Sequence, residues 1–515
     1  MSLAVVMSRS LVGLDAPVVR VETHLSSGLP TFVIVGLADA EVRESRERVR
    51  AAIHSSGYAF PSGRLTVNLS PADLPKESGR FDLPIALGVL LVSGQIQLAR
   101  EGIIERTEDS RPELSHWVVA GELSLSGVLV PIAGAISIAL AVARHQPGAC
   151  LVLPLQSAIQ AARVPGISVL AATTLSQVVQ HLSGQTSLLK PVPMLDKQLE
   201  PQVECLSDVR GQAMARRALE VSAAGHHSLL LTGTPGVGKS MLARRLPGIL
   251  PPMTEAECLE VASISAYSGQ RALGWGVRPF RAPHHTTSAA AVIGGGAKPR
   301  PGEITLAHRG VLFLDELPEF DRRVLEALRE PLESKEVCIA RANMKIEFPA
   351  DFLLIGAMNP CPCGWIGHVV KKCTCRSDQI ERYQGRLSGP LLDRIDLAVS
   401  IAESDTNWLE LAPGESSAVV KARVVVTRKV QLNRQGCANA QLPVACLENI
   451  CQMDGEASKL LNKIVNYERL SARSIQKFRR VARTCADLSG ADLIGVAHVA
   501  EAFQYRLRTV GTVRT

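Results

Sequence analysis

The stretch "LLLTGTPGVGKSML", residues 229 to 242, runs from an apolar segment through a glycine-rich turn into a helix start. Gly233, Gly238, Lys239 and Ser240 satisfy the pattern G-x-x-x-x-G-K-[ST], set between a strand and a helix as its mechanism requires. The glycines let successive backbone N–H groups converge on phosphate oxygens at a helix N-terminus. Residues Gly233, Thr234, Pro235, Gly236, Val237, Gly238, Lys239, Ser240 and Met241 are therefore read as a cradle for ATP. In that cradle Lys239 reaches the β and γ phosphates, and the Ser240 hydroxyl ligates Mg2+. A chance match inside a loop is the bland alternative, and the strand-to-helix setting argues against it.

Two later strands carry the partners such a turn needs. In "GVLFLDELPEF", residues 310–320, an apolar run ends in Asp315 and Glu316. Two acids at the carboxyl end of a buried strand are costly without a cation. Asp315 is read as holding the magnesium shell, and Glu316 as orienting or deprotonating the attacking water. The run "FLLIGAMN", residues 352–359, ends in Asn359, a neutral polar group placed to position the same water.

Around this centre the 515-residue chain suggests two to four domains. Residues 1–183 alternate β-like runs such as "LTVNLS" with helical ones. Residues 184–204 are polar, proline-bearing and without a period, a linker pattern. Residues 205–416 resume the strand–helix alternation of a parallel sheet covered on both faces. Residues 417–515 turn helical. The first residues show no basic-then-apolar leader pattern, and the apolar runs fall short of the ~20 residues of a spanning helix. A cytoplasmic protein without a membrane segment is expected. A net charge of +7 does not by itself establish a nucleic-acid partner. The segments 281–309 and 469–483 are locally basic, which equally fits a solvated helix face.

Twelve cysteines are present, most of them scattered in apolar company, as Cys150, Cys338 and Cys485 are. That is the habit of reduced, buried thiols. The exception is "MNPCPCGWIGHVVKKCTC", residues 358–375, where Cys361, Cys363, Cys373 and Cys375 form two C-x-C arms. Four soft ligands in a reducing compartment suit tetrahedral Zn2+ in a structural role. The arms are tighter than the usual C-x-x-C knuckle. His368 is a reserve ligand. A disulfide pair, or four free buried thiols, are the alternatives. The pair His284–His285 in "PHHTTS" invites a metal reading, but no acid lies near it in sequence, and a packing or inter-subunit role is preferred.

The order of these motifs resembles the AAA+ ATPases. Longer stretches, "LSDVRGQAMARRALEVSAAGHHSLLLTGTPGVGKSMLARRLPGILPPM", "RPFRAPHHTTSAAAVIGGG" and "KPRPGEITLAHRGVLFLDELPEF", are similar to the ComM/YifB family of magnesium-chelatase-like AAA+ proteins. The resemblance runs over essentially the whole chain. It implies a central AAA+ P-loop α/β domain and a C-terminal helical lid, and the cysteine arms read above then form a zinc-binding insertion (361–375) in that domain. It makes Arg394 in "SGPLLDRIDL" the arginine finger acting on a neighbour's ATP, and Arg473 the second sensor. A surface ion pair is the alternative for either. A finger supplied in trans implies a ring, a homohexamer. The resemblance further implies two pore insertions, a loop with Lys298 and Arg300 and a hairpin, "EVCIARANMKIEF", with Arg341 and Lys345 near its tip. Positive tips in a ring would contact phosphates without reading sequence; plain solvent exposure is the competing reading.

The family's activity, branch migration of recombination intermediates in natural transformation, is accordingly expected here. Single-stranded and branched DNA, and recombinase machinery, are the expected partners. The region around "LPKESGRFDLPIAL" and "VAGELSLSGVLVPIAGAISIA" resembles the Lon-protease type of domain, with its ribosomal-S5-like α/β fold. That raises an ATP-dependent protease as a rival. However, Arg80 stands where the nucleophilic serine should fall, with Ser78 out of register, and Ile136 stands at the lysine position. No lysine occurs between Lys76 and Lys190, so the local base of a Ser-Lys dyad is missing. A magnesium-chelatase-like motor acting on protein partners is the second rival.

Overall fold

Leu65, Val67 and Leu69 alternate with polar Thr66 and Asn68, and in the computed structural model all three are fully buried. This is the period-2 pattern of a strand packed on one face. The structure describes residues 2–36, 40–74, 76, 79–98, 113–193, 204–270, 273–296, 299–341, 344–368, 370–401 and 411–506. The chain divides into two units, Met1–Gln198 with Leu259–Trp275, and Leu199–Cys258 with Gly276–Thr515.

The first unit is built on seven strands: β1 (Ser2–Arg9), β2 (Val18–Ser26), β3 (Thr31–Val35), β4 (Arg64–Ser70), β5 (Glu113–Val119), and, after a small pair β6 (Glu122–Leu123) and β7 (Leu129–Val130), β8 (Cys150–Pro154) and β9 (Ser168–Ala172). Their order is β3-β4-β2-β1-β5-β8-β9. The sheet is mixed: β1–β2 and β2–β4 pair antiparallel, β1–β5, β5–β8 and β8–β9 parallel. The helix Asp82–Val92 is buried at every position and lies against β1 and β2. Asp82, at its start, is fully buried and is held by the Arg48 guanidinium at 2.7 Å. Residues 259–275, which sequence reading leaves in the central block, belong to this unit. Leu259 packs in the same core as Val142 and Leu151, and the Arg163 guanidinium lies 4.2 Å over the Trp275 ring.

The second unit carries a five-stranded parallel sheet made of β10 (Leu229–Gly233), β11 (Phe280–Arg281), β14 (Val311–Leu314), β17 (Leu353–Met358) and β18 (Leu397–Ile401). Between β11 and β14 lies a two-residue pair, β12 (Gly294–Gly295) and β13 (Arg300–Pro301). Between β14 and β17 lies a hairpin, β15 (Glu336–Arg341) and β16 (Met344–Pro349). The sheet order is β11-β14-β17-β10-β18, and all six residues of β17 are buried. The expected parallel sheet is thus present. Four longer helices follow, Ser417–Gln435, Gly455–Glu468, Ala472–Leu488 and Val496–Gln504. Three of them start where a side chain satisfies an otherwise orphaned amide: Ser416 accepts from Val419, Asp454 from Ala457 and Ser471 from Ser474. Val424, Val481 and Ala482 of these helices share one core with Leu229, Leu231 and Ile355 of the sheet. Of the expected linker, residues 194–203 lie outside the described residues.

Candidate nucleotide site

In a parallel sheet the strands present their carboxyl ends along one edge, and ligands bind there. Here β14, β17 and β10 are consecutive neighbours. Their ends deliver Asp315, Asn359 and the turn 233–240 to one place. The turn folds as its glycines require: Gly236 and Gly238 stand at φ +87 and +90, in the left-handed region that a Cβ disfavours. The helix Lys239–Arg245 starts directly after Gly238.

Lys239 is only 9 % exposed. Its ammonium donates to Gly233 O at 2.6 Å, Thr234 O at 3.0 Å and Asn359 Oδ1 at 3.0 Å. Burial pulls its pKa below the usual lysine range, against the pull of Asp315 and Glu316. Ser240 Oγ donates to Asp315 Oδ2 at 2.6 Å. The structure therefore brings together Lys239, Ser240, Asp315 and Asn359, four of the five groups that sequence reading assigned to phosphate, magnesium and water. The buried Thr234 hydroxyl has no hydrogen-bond partner, as fits a group waiting for a phosphate oxygen. A lysine, an Asp–Ser pair and an amide-lined turn are the donor set a magnesium triphosphate needs.

Glu316 sits beside this cluster with φ +52 and a half-exposed side chain. Its carboxylate oxygen lies 2.9 Å from His285 Nδ1. Sequence reading expected a packing or inter-subunit role for the histidine pair; the contact seen is to the candidate base of the same chain. Strand order is the cause. β11 pairs with β14, so the segment following β11 reaches the edge where Glu316 emerges. Gln212 is a second residue that sequence reading missed; its amide donates to Val237 O at 2.6 Å and braces the turn.

Arg394 and Arg473 do not join this cluster. Arg394 precedes β18, whose Leu397 pairs with Leu229 at the amino end of β10. Ser228 Oγ donates to Arg394 O at 2.9 Å. From Ser228 to Gly233 the strand spans about 16 Å at roughly 3.3 Å per residue, more than an arginine side chain covers. Both arginines instead meet Glu333: Arg394 Nη2 lies 2.8 Å from Oε2, and Arg473 Nη2 is bonded to Oε1.

The four cysteines converge. Their sulfurs all lie within 4.8 Å of one another, with Cys361–Cys363 at 3.4 Å, Cys363–Cys373 at 3.5 Å and Cys361–Cys373 at 3.7 Å. Tetrahedral zinc with Zn–S near 2.3 Å needs sulfurs about 3.8 Å apart, so the donor set fits. Burial raises the Cys363 thiol, but the amides of Trp365 and Thr374 outweigh it and bring it to about 6. His368 is not part of the cluster; its Nδ1 accepts the amides of Val370 and Lys371, each at 3.0 Å. The cysteine loop also touches the nucleotide turn. A Cβ on Gly364 would stand 2.7 Å from Pro235 Cγ.

The hairpin forms as expected. Val337, Ile339, Ile346 and Phe348 are buried, while Lys345 is exposed beside Glu347 at 2.7 Å. The backbone of Arg341 pairs with Met344 next to the tip; its side chain and Lys298 lie outside the described residues. Arg300 is exposed on β13. At the positions where sequence reading looked for a protease dyad, Arg80 and Ile136 are both buried, and Ser78 lies outside the described residues. Among the described residues no helix is long and apolar enough to cross a membrane.

Sheet order and turn chemistry together define a P-loop protein of the magnesium-chelatase-like AAA+ class. Family models agree, matching "Magnesium chelatase, subunit ChlI" over residues 205–409, "Subunit ChlI of Mg-chelatase" over 21–157 and "Magnesium chelatase, subunit ChlI C-terminal" over 414–506. The chain is 43% identical over 515 residues to competence protein ComM of Haemophilus influenzae, covering 98% of each. It is 43% identical over 512 residues to YifB of Escherichia coli, covering 98% of this chain and 97% of the relative. The magnesium-chelatase 38 kDa subunit of Cereibacter sphaeroides is 26% identical over 214 residues, covering 38% and 58%. The chain belongs to the ComM/YifB family of magnesium-chelatase-like proteins.

Proposed function

We propose that this protein is an ATP-driven DNA motor, a homohexameric ring that promotes branch migration of recombination intermediates. The observation that carries the reading is the separation of Arg394 from Lys239 along the sheet. The groups for binding and cleaving ATP stand at the carboxyl edge, and an arginine held at the amino end of β18 cannot serve its own chain's phosphate. It fits a site completed by a second copy. In that site Lys239 and the turn amides would hold the phosphates, and Ser240 and Asp315 would hold magnesium, which when bound would supply charge neutralisation. Glu316 takes the proton of the attacking water, Asn359 orients that water, and Arg394 with Arg473 stabilises the charge from the neighbour. Arg finger contributions of this kind reach about 10³–10⁵ in turnover.

Arg341, Lys345, Lys298 and Arg300 supply the DNA contacts in the ring's channel. The hairpin that carries Arg341 and Lys345 runs directly into β17, whose far end is Asn359, so a change at the phosphate has a short path to a basic tip. Six such tips grip a phosphate backbone by charge and weaken steeply with salt. The name of the Haemophilus influenzae relative, a competence protein, supports a role in natural transformation. Zn2+ on Cys361, Cys363, Cys373 and Cys375 is structural, since four protein ligands leave no open position. The first unit is a Lon-like domain without proteolysis, serving assembly or DNA contact.

The test is a labelled four-way junction with ATP. Wild type resolves it. The double variant Arg341→Ala with Lys345→Ala hydrolyses ATP without DNA but loses DNA stimulation and movement. A double variant that moves junctions as well as wild type would remove the hairpin from the mechanism. ATP hydrolysis that DNA does not stimulate would favour a chelatase-type motor on protein partners.

A further inference from the structure

Glu333 lies in the last turn of the short helix Arg329–Ser334, just before the hairpin. Each oxygen of its carboxylate holds one arginine, Oε2 taking Arg394 and Oε1 taking Arg473. These three side chains line a cavity of about 910 Å³, together with Lys477 and Arg480. The Arg394 side chain is 11 % exposed, with Nη1 donated to Pro390 O at 2.7 Å and Nε buried without a partner. Glu333 and Arg473 are about half exposed. Two guanidinium groups thus share one carboxylate, so the trio itself carries one positive charge, in a cavity also lined by Lys335, Asp351, Asp393 and Asp396.

The Glu333–Arg473 pair is half-exposed on both sides and weak for that reason, whereas a phosphate dianion engages paired guanidinium groups through stronger, charge-assisted bonds. A terminal phosphate brought to this cavity outcompetes the carboxylate. It then repels it, because Glu333 cannot remain beside an added dianion. The displaced residue is tied to the hairpin root. Lys335, two positions on, bonds its backbone to Ala350 at 2.7 Å and its ammonium to Asp351 at 3.4 Å, closing the base of β15 and β16.

We infer that Glu333 is a resting counter-ion for Arg394 and Arg473, and that its displacement by a neighbour's terminal phosphate is how an occupied interface signals to the hairpin Glu336–Pro349. This rests on the trans-acting role of Arg394 argued above. Glu333 acts through the arginines and is a positioning residue, not a catalytic one.

Glu333→Gln keeps the size and removes the competing charge. The ATP concentration for half-maximal hydrolysis then falls about two- to fivefold, and the stimulation by DNA shrinks. Glu333→Asp, which keeps the charge but cannot bridge both arginines, shifts both quantities the same way by less. A merely structural role would lower the maximal rate or the melting temperature without lowering the ATP requirement. Unchanged or raised ATP requirement in a folded Glu333→Gln protein overturns the inference, and an unchanged Glu333→Asp does so should Glu333→Gln fail to fold. Arg394→Ala is measured alongside. Wild-type hydrolysis in that variant removes the composite site itself; an inactive Arg394→Ala with an unshifted Glu333→Gln removes only the role of Glu333.

Discussion

Glu316 occupies the left-handed region of the backbone with a full side chain, a conformation costing on the order of 1–3 kcal/mol. Such strain concentrates at catalytic positions, and here it aims the carboxylate at the edge where Lys239, Asp315 and Asn359 meet. Glu316→Gln keeps the shape and removes the base. It is expected to bind ATP, measured with a fluorescent analogue, and to lose most of its steady-state hydrolysis. Normal turnover would end the assignment. Lys239, Ser240, Asp315 and Asn359 were legible in the sequence because each ends an apolar run or lies in a turn whose glycines announce it. His285 was not. Its contact with Glu316 depends on β11 lying beside β14, and no local pattern encodes which strands become neighbours.

The segment between β17 and β18 shows what a short element does here. Cys361, Cys363, Cys373 and Cys375 close on one point, and Gly364 of the same loop packs on Pro235 of the nucleotide turn. Protein purified without added metal is expected to contain one zinc per chain by elemental analysis, and Cys363→Ser to contain less. Stripping the zinc is also expected to weaken ATP binding, because the loop that braces Pro235 then loosens. Metal-free protein with full activity would contradict both statements. The cluster was legible from spacing alone. Its contact with the turn was not, since Gly364 and Pro235 are brought together only when β17 pairs with β10.

The hairpin base depends on Asp351, which is 9 % exposed. Its side chain meets Arg309 at 2.9 Å, Lys335 at 3.4 Å and His226 at 3.5 Å. Burial raises its pKa, but the bond with His226 and the charges of Lys335 and Arg309 prevail and hold the carboxyl far below its usual range. A depressed carboxylate contributes stability above its unfolded pKa of about 3.9, and loses it as pH falls through the folded value. Asp351→Asn is therefore expected to cost about 3–5 kcal/mol at neutral pH, with the gap to wild type closing as pH is lowered from 8 into the acid range. Chemical denaturation across that range measures it. A gap that widens in acid would reverse the sign of the argument.

For the assembled molecule, the position of Arg394 carries the decisive expectation. If it serves a neighbour, Lys239→Ala and Arg394→Ala subunits are each inactive alone. Mixed assemblies recover part of the activity, because some interfaces then hold an intact turn facing an intact arginine. Hydrolysis is read in mixtures shown to co-assemble by size. No recovery would assign Arg394 to an ion pair with Glu333 and nothing more.

By itself the sequence determined the elements and their chemistry. The G-x-x-x-x-G-K-[ST] turn, the apolar runs ending in Asp315–Glu316 and Asn359, the paired C-x-C arms and the hairpin are all local patterns, written in residue order and spacing. The tertiary structure decided which of these touch. Strand order set His285 on Glu316, brought Gly364 against Pro235, and placed Arg394 at the opposite end of the sheet from Lys239. It also moved residues 259–275 into the first unit and joined Arg394 to Arg473 through Glu333. The physical reason is that side-chain periodicity specifies how a segment is buried, not against what. Pairing partners are chosen only when the apolar faces of distant segments close a common core.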